Sequence, residues 1–129
     1  ADVVAAFYRL SKVESRHAAD EALYTAEWEA RTDDFADALV AACRSSLLLR
    51  LRGNLRDQYR RYRNLLRREG VVPRSNEAEL RAIMEAAIAR DGETASRRAG
   101  QSIASMTEAM AQSPLLNQPP PARRRRRAA

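Results

Sequence analysis

Apolar residues recur every three or four positions along most of this chain, and polar residues fill the gaps. That rhythm predicts amphipathic helices, each turning one stripe toward a shared core. Asp2 is placed to cap a first helix. Its face carries Val3, Phe7, Leu10 and Val13 or Glu14, and it ends near residues 17–20. A second helix begins at about Glu21, with a small stripe of Leu23, Ala26 and Ala30 and with Trp28 to one side. It continues into Asp33 or breaks at Thr32. Residues 33–68 give the strongest signal and read as two helices divided near residues 44–46. Phe35, Leu39 and Cys43 fall at i, i+4 and i+8 in the first of them. In the second, Leu48, Leu51, Leu55, Tyr59, Tyr62 and Leu66 form one stripe over about five turns. Arg50, Arg52, Arg56, Asp57, Arg60, Arg61 and Arg67 occupy the opposite face.

Gly70 suits the position just past a helix end, and Pro73 disfavours helix at Val72, so a loop follows. Ser75 or Asn76 caps the next helix, with Glu77 and Glu79 in its first turn. Leu80, Ile83, Met84, Ala87 and Ile88 complete its stripe. Asp91 and Gly92 interrupt the chain. A last helix starts near Glu93, carries Ala95, Ala99, Ile103, Met106 and Met110, and stops at Pro114. No stretch alternates apolar and polar residues with β-branched enrichment, which argues against strands. The expectation is an all-α, antiparallel bundle of about five helices over residues 1–112, followed by a disordered, Pro- and Arg-rich tail over 113–129.

Composition narrows the function more than it defines it. A length of 129 residues suits one domain. No apolar run approaches the roughly 20 residues that cross a bilayer, so no membrane role is expected. Cys43 is the only cysteine, which precludes an internal disulfide and fits a cytoplasmic protein. Of the net charge of +6, five charges lie in Arg123 to Arg127, so the remainder is nearly neutral. The high isoelectric point therefore describes a tail. Without interleaved aromatics that tail reads as a tether, or as a weak, salt-sensitive binder of polyanions.

Catalytic chemistry is sparse. His17, the lone histidine, reads as an edge residue near a helix end, and Cys43 as a buried inert thiol. Asp33, Asp34 and Asp37 form an acidic cluster that complements a helix dipole more readily than it ligates a metal. Gln58, Tyr59, Tyr62 and Arg63 are the candidate ligand-binding set. Gln58 sits one helical step from Leu55 and Tyr62 and is expected to face inward, where a buried amide needs partners. Arg63 follows Tyr59 by four residues and is placed to meet a carboxylate in a bundle cavity. The plainer reading makes the tyrosines core and the arginines a solvated face.

Several runs resemble a known family. They are Phe35-Ala36-Asp37-Ala38-Leu39-Val40-Ala41-Ala42-Cys43, Leu47-Leu48-Leu49-Arg50-Leu51 and Asp57-Gln58-Tyr59-Arg60-Arg61-Tyr62-Arg63. Glu79-Leu80-Arg81-Ala82-Ile83, Ala86-Ala87-Ile88-Ala89-Arg90-Asp91 and Ser102-Ile103 follow. Together they resemble the effector-binding domain of GntR-type bacterial transcription regulators, the FadR C-terminal-like (FCD) class. The resemblance implies a helical bundle that binds small carboxylates, often through a metal held by Asp or Asn and three His, and that helps the regulator dimerise. Those ligand positions correspond here to Thr32, Ala36, Leu80 and Ser102, which supply no imidazole. Ala36 and Leu80 would make the cavity apolar.

The implied function is thus a non-enzymatic effector-sensing and dimerisation domain. It would take a small organic acid or apolar effector with Arg60 or Arg63 as anchor, without metal or other cofactor. DNA would be reached only through a domain absent from these residues. The alternative is a helical structural or interaction subunit, with Trp28, Leu47, Leu49 and Val71-Val72 exposed and the Arg-rich tail as tether.

Overall fold

A computed structural model describes residues 2–16, 21–70 and 76–117, apart from the side chains of residues 21, 22 and 68. His17, Ser75, Val71-Val72 and Arg123 to Arg127 lie outside the described residues. Five helices follow one another: α1 (Val3–Glu14), α2 (Glu21–Leu39), α3 (Ser46–Arg68), α4 (Glu77–Ile88) and α5 (Gly92–Gln112). No strand occurs among the described residues. The all-α expectation holds, and α2 passes Thr32 without a break.

The helix ends follow local hydrogen bonding. The Asp2 carboxylate accepts from the N–H groups of Val4 (3.0 Å) and Ala5 (3.2 Å), satisfying donors that a first turn leaves orphaned. α1 stops earlier than its apolar pattern suggests. The Ser15 hydroxyl donates to the Lys12 carbonyl, a local bond that competes with further helix. Ser45 caps α3 through Leu48 N–H, and Asp91 caps α5 through Thr94 N–H. The Thr94 backbone and hydroxyl hold the Asp91 carboxyl below the usual carboxylate range. Asn76 stands at the start of α4 without a side-chain cap. Its own N–H instead donates to Glu14 on α1 (3.4 Å).

The main core lies between α1, α2 and α4. Phe7, Leu10 and Val13 meet Tyr24, Trp28, Phe35 and Ala38, and Ile83 and Met84 close the third side. Phe7 stacks edge-on against Phe35, while at the other end Trp28 Nε1 donates to Glu14 and Arg16 pairs with Glu27. α1 and α2 therefore run antiparallel. The buried face of α2 is the aromatic one. Leu23, Ala26 and Ala30, expected as its stripe, are exposed, and Trp28 is buried. Aromatic rings remove far more apolar area from water than alanine methyls do, so they decide which face turns in.

A second, smaller core joins α3 to α5. Leu66 and Met110 are buried there, with Tyr59, Met106 and Leu115 packed against them. Packing continues past the boundary expected at residue 113: Ser113 is buried, and the Asn117 amide donates to the carbonyls of Ala111 and Ser113. The remaining tail residues, 118–129, lie outside the described set.

Gly70 follows the Glu69 cap of α3, and its φ of 72° is left-handed. A Cβ there would meet open space, so any penalty is purely conformational. Gly70→Ala is expected to lower stability by about 1 kcal/mol, read from urea unfolding.

Candidate functional site

The placement of α3 inverts the expectation drawn from its stripe. Its arginine face turns toward α2, and Leu48, Leu51, Leu55 and Tyr62 face solvent. The reason is on α2. Glu29, Asp33 and Asp37 repeat at i, i+4 and i+8, which gives that helix an acidic edge. Arg52, Arg56, Arg60, Arg63 and Arg67 repeat with the same helical spacing on α3. Brought antiparallel, the two series form a ladder. Arg52 and Arg56 reach Asp37, Arg60 reaches Asp33 and Glu29, and Arg63 reaches Glu29. A hydrophobic rhythm identifies two faces of a helix. Only the partner helix decides which face is covered.

The inner rungs are dry. Glu29 is 6% exposed and Arg63 8%. Arg63 Nε donates to Glu29 Oε1 at 3.0 Å and its Nη2 to Oε2, a bidentate geometry that fixes both side chains. The Arg63 guanidinium also lies 5.0 Å from the Trp28 ring centre and 5.6 Å from that of Tyr59. Arg67 sits between Trp28 (3.8 Å) and Tyr24 (5.4 Å) and donates to the Tyr24 hydroxyl at 3.0 Å. These contacts are cation–π packing of the kind that offsets the loss of water around a buried guanidinium.

This geometry rearranges the residues singled out from sequence. Gln58 is exposed and Tyr62 is half exposed, because the stripe they belong to faces outward. Arg63 faces a carboxylate as expected, but the carboxylate is Glu29 of the same chain. Tyr59 is partly buried in the smaller core, and burial pushes its phenol up, with the nearby Glu29 adding and Arg63 opposing. The four therefore do not converge on one cavity. Glu29, Asp33 and Asp37 were overlooked as partners, although their i, i+4, i+8 spacing was visible.

Open space lies elsewhere. A cavity of about 640 Å³ sits among α2, α3, α4 and α5. Ala36 and Leu39 line it from α2 and Val40 from the turn just past it, Ile83 and Ala87 from α4, and Ala95, Ala99 and Ile103 from α5. Arg52 and Arg90 add two guanidinium groups to these apolar walls. Arg52 is paired with Asp37, whereas Arg90 makes no ion pair among the described residues. Arg90 stands at the α4–α5 turn with φ 57°, a left-handed conformation unusual for a long side chain. A second cavity, also about 640 Å³, is more polar and is lined by Asn76, Glu79, Gln101, Ser102, Ser105, Met106 and Ala109.

The four positions where the resemblance puts metal ligands are split between these features. Ala36 lines the apolar cavity and Ser102 the polar one. Leu80 packs on the main core. The Thr32 hydroxyl is buried and has no hydrogen-bond partner among the described residues. A methyl, an isobutyl group and two hydroxyls are not a donor set for a divalent transition metal. Among the described residues, no group of three or more His, Cys, Asp or Glu is placed to hold a metal ion.

Comparison with known proteins agrees with the fold. The profile of the FCD domain matches residues 6–105. A protein of Paraburkholderia xenovorans (strain LB400), the uncharacterized HTH-type transcriptional regulator BphR, is 34% identical over 93 residues. That match covers 72% of this chain and 38% of BphR, so the chain spans well under half of that relative's length. No solved structure matches.

Proposed function

The chain belongs to the FCD domain family, and from that premise we propose that it is the effector-sensing and pairing domain of a GntR-type bacterial transcription regulator. It binds rather than catalyses, acts in the cytoplasm, and meets DNA through a part of the regulator outside these residues. The observation that carries this reading is the cavity among α2, α3, α4 and α5, with apolar walls and two arginines. Its volume lies in the ordinary range of small-molecule sites.

The effector is an organic acid with an apolar body, bound without metal. Arg90 is its anchor in place of Arg60 or Arg63, whose charges are answered by Asp33 and Glu29. Arg52 contributes a second positive charge already half-committed to Asp37. Of the four residues expected from sequence, Gln58 and Tyr62 drop out of the site with the outward stripe, and Tyr59 serves as packing beside Arg63. The positions Thr32, Ala36, Leu80 and Ser102 constitute a metal site that has lost its ligands.

A thermal-shift series of organic acids of increasing apolar size tests this, followed by calorimetry on the best binder. Arg90→Gln is expected to weaken binding about tenfold or more, the size of a lost charge-assisted hydrogen bond. Ala95→Trp, which fills the cavity, is expected to abolish binding while leaving the helical circular dichroism intact. Affinity unchanged in Arg90→Gln, or no acid that shifts the unfolding midpoint, would exclude the reading.

A further inference from the structure

Arg52 belongs to two hollows at once. On one side it lines the cavity that also holds Arg90. On the other it lines a smaller hollow of about 320 Å³ with Asp37, Leu49, Gly53 and Arg56. Arg52 Nη1 donates to Asp37 Oδ1 at 2.5 Å. Arg56 Nη1 approaches the same oxygen at only 3.5 Å, longer than a well-formed hydrogen bond. Arg56 Nε is buried and has no hydrogen-bond partner among the described residues. One carboxylate is thus shared unequally by two guanidinium groups, and the one held less closely has donors in reserve.

We infer that Asp37 is a built-in competitor for the acid group of the effector, with Arg56 as its replacement partner. An acid entering the cavity takes Arg52 from Asp37, and Asp37 closes on Arg56. The inference rests on the acid-binding reading of the cavity and names how that site is regulated. Three observations carry it. The first is that this rung of the ladder is exchangeable. The Asp37 side chain is 55% exposed and that of Arg52 28%, against 8% and 10% for the Glu29–Arg63 pair. Exposed ion pairs are weakly held, so a second carboxylate competes on nearly even terms. The second is that Asp37 does not stay alone. It lies in the last turn of α2, which contains no basic residue, so its charge meets the negative end of the helix dipole. Released from Arg52, it is drawn to the donors of Arg56. The third is room. Gly53 adds no side chain to the hollow, and even a Cβ there would meet nothing within 4 Å, so both guanidinium groups have space to turn. Occupancy of the cavity is then reported at the α2–α3 junction, by which arginine of α3 holds the end of α2.

The test uses the full chain and calorimetry with benzoate, hexanoate and adipate. Asp37→Asn leaves Arg52 uncontested and is expected to tighten the best of these about tenfold. Should Asp37→Asn fail to fold, Asp37→Gln removes the same charge on a better helix former. Arg56→Gln deprives Asp37 of its replacement partner. It is expected to weaken binding about threefold or more, although Arg56 does not line the cavity. Asp37→Glu keeps the competing carboxylate and is expected to bind as the parent does.

A bare change of charge gives the same signs, so an Arg52→Gln background decides. There Asp37→Asn and Arg56→Gln are both expected to leave affinity unchanged, since each acts through Arg52. Shifts that persist in that background overturn the exchange and assign them to the general field of the charges. In a parent that binds, an affinity that Asp37→Asn does not raise also overturns it, and leaves the acid-binding reading standing. Absence of binding by all three acids, in the parent and in Asp37→Asn alike, overturns both.

Discussion

Glu29→Ala is expected to destabilise the bundle by about 3–5 kcal/mol, the range for breaking one side of a buried ion pair. Arg63 would keep its charge between Trp28 and Tyr59 with no carboxylate to accept from its Nε and Nη2. Water has little access to that site, since both partners are less than a tenth exposed. Arg60 would lose a lesser contact and retain Asp33. Replacing both partners, as Glu29→Leu with Arg63→Met, is expected to recover most of the loss, because two apolar side chains need no hydrogen bonds. Urea unfolding of parent, single and double variants gives the coupling directly. A single-variant loss under about 1 kcal/mol would place the pair in the class of solvated surface bridges and remove the ladder as the reason α3 faces as it does.

Trp28→Ala is the other substitution with a large expected effect, again about 3–5 kcal/mol. Three losses coincide. The indole is 6% exposed and fills the main core. Its Nε1 hydrogen bond to Glu14 helps tie α2 to α1, and Glu14 in turn accepts from Asn76 at the start of α4. Its ring also faces the guanidinium groups of Arg63 and Arg67. Trp28→Phe keeps most of the packing and removes the donor, so about 1 kcal/mol is expected. Trp28 is the only tryptophan, which makes its fluorescence a site-specific reporter. Emission in the folded parent should be blue-shifted and move red on unfolding. Emission already red in the folded state would contradict the burial on which the prediction stands.

The two predictions concern residues that the linear pattern handled unequally. Glu29 carried no apolar signal and passed unremarked. Trp28 was assigned to a side face because Leu23, Ala26 and Ala30 made a regular row. That row was regular and wrong, since spacing weighs a methyl and an indole alike while burial does not. The competing row Tyr24, Trp28, Phe35 and Ala38 has helical spacing too, and its larger side chains are what the core holds. The candidate ligand set is dispersed for a related reason. Gln58 and Tyr62 were placed inward by membership in the α3 stripe, and the part of it that carries Leu48, Leu51, Leu55 and Tyr62 faces out, while Tyr59 and Leu66 turn into the smaller core. The cavity and Arg90 were not legible at all. A void arises from how far four helices stand apart, and no local run of residues encodes that distance.

The chain by itself determined that there are helices, roughly where they start and stop, and which family they belong to, because caps, turn residues and a 3.6-residue rhythm are properties of short segments. It also contained both halves of the α2–α3 ladder, written as two charge series at matching intervals. The tertiary structure alone decided that those series face each other, that the leucine face of α3 is therefore left outside, and that the apolar space beside Arg90 remains open. The physical reason is that a helix offers all its faces at once. Which one is buried depends on the charge and bulk of whatever packs beside it.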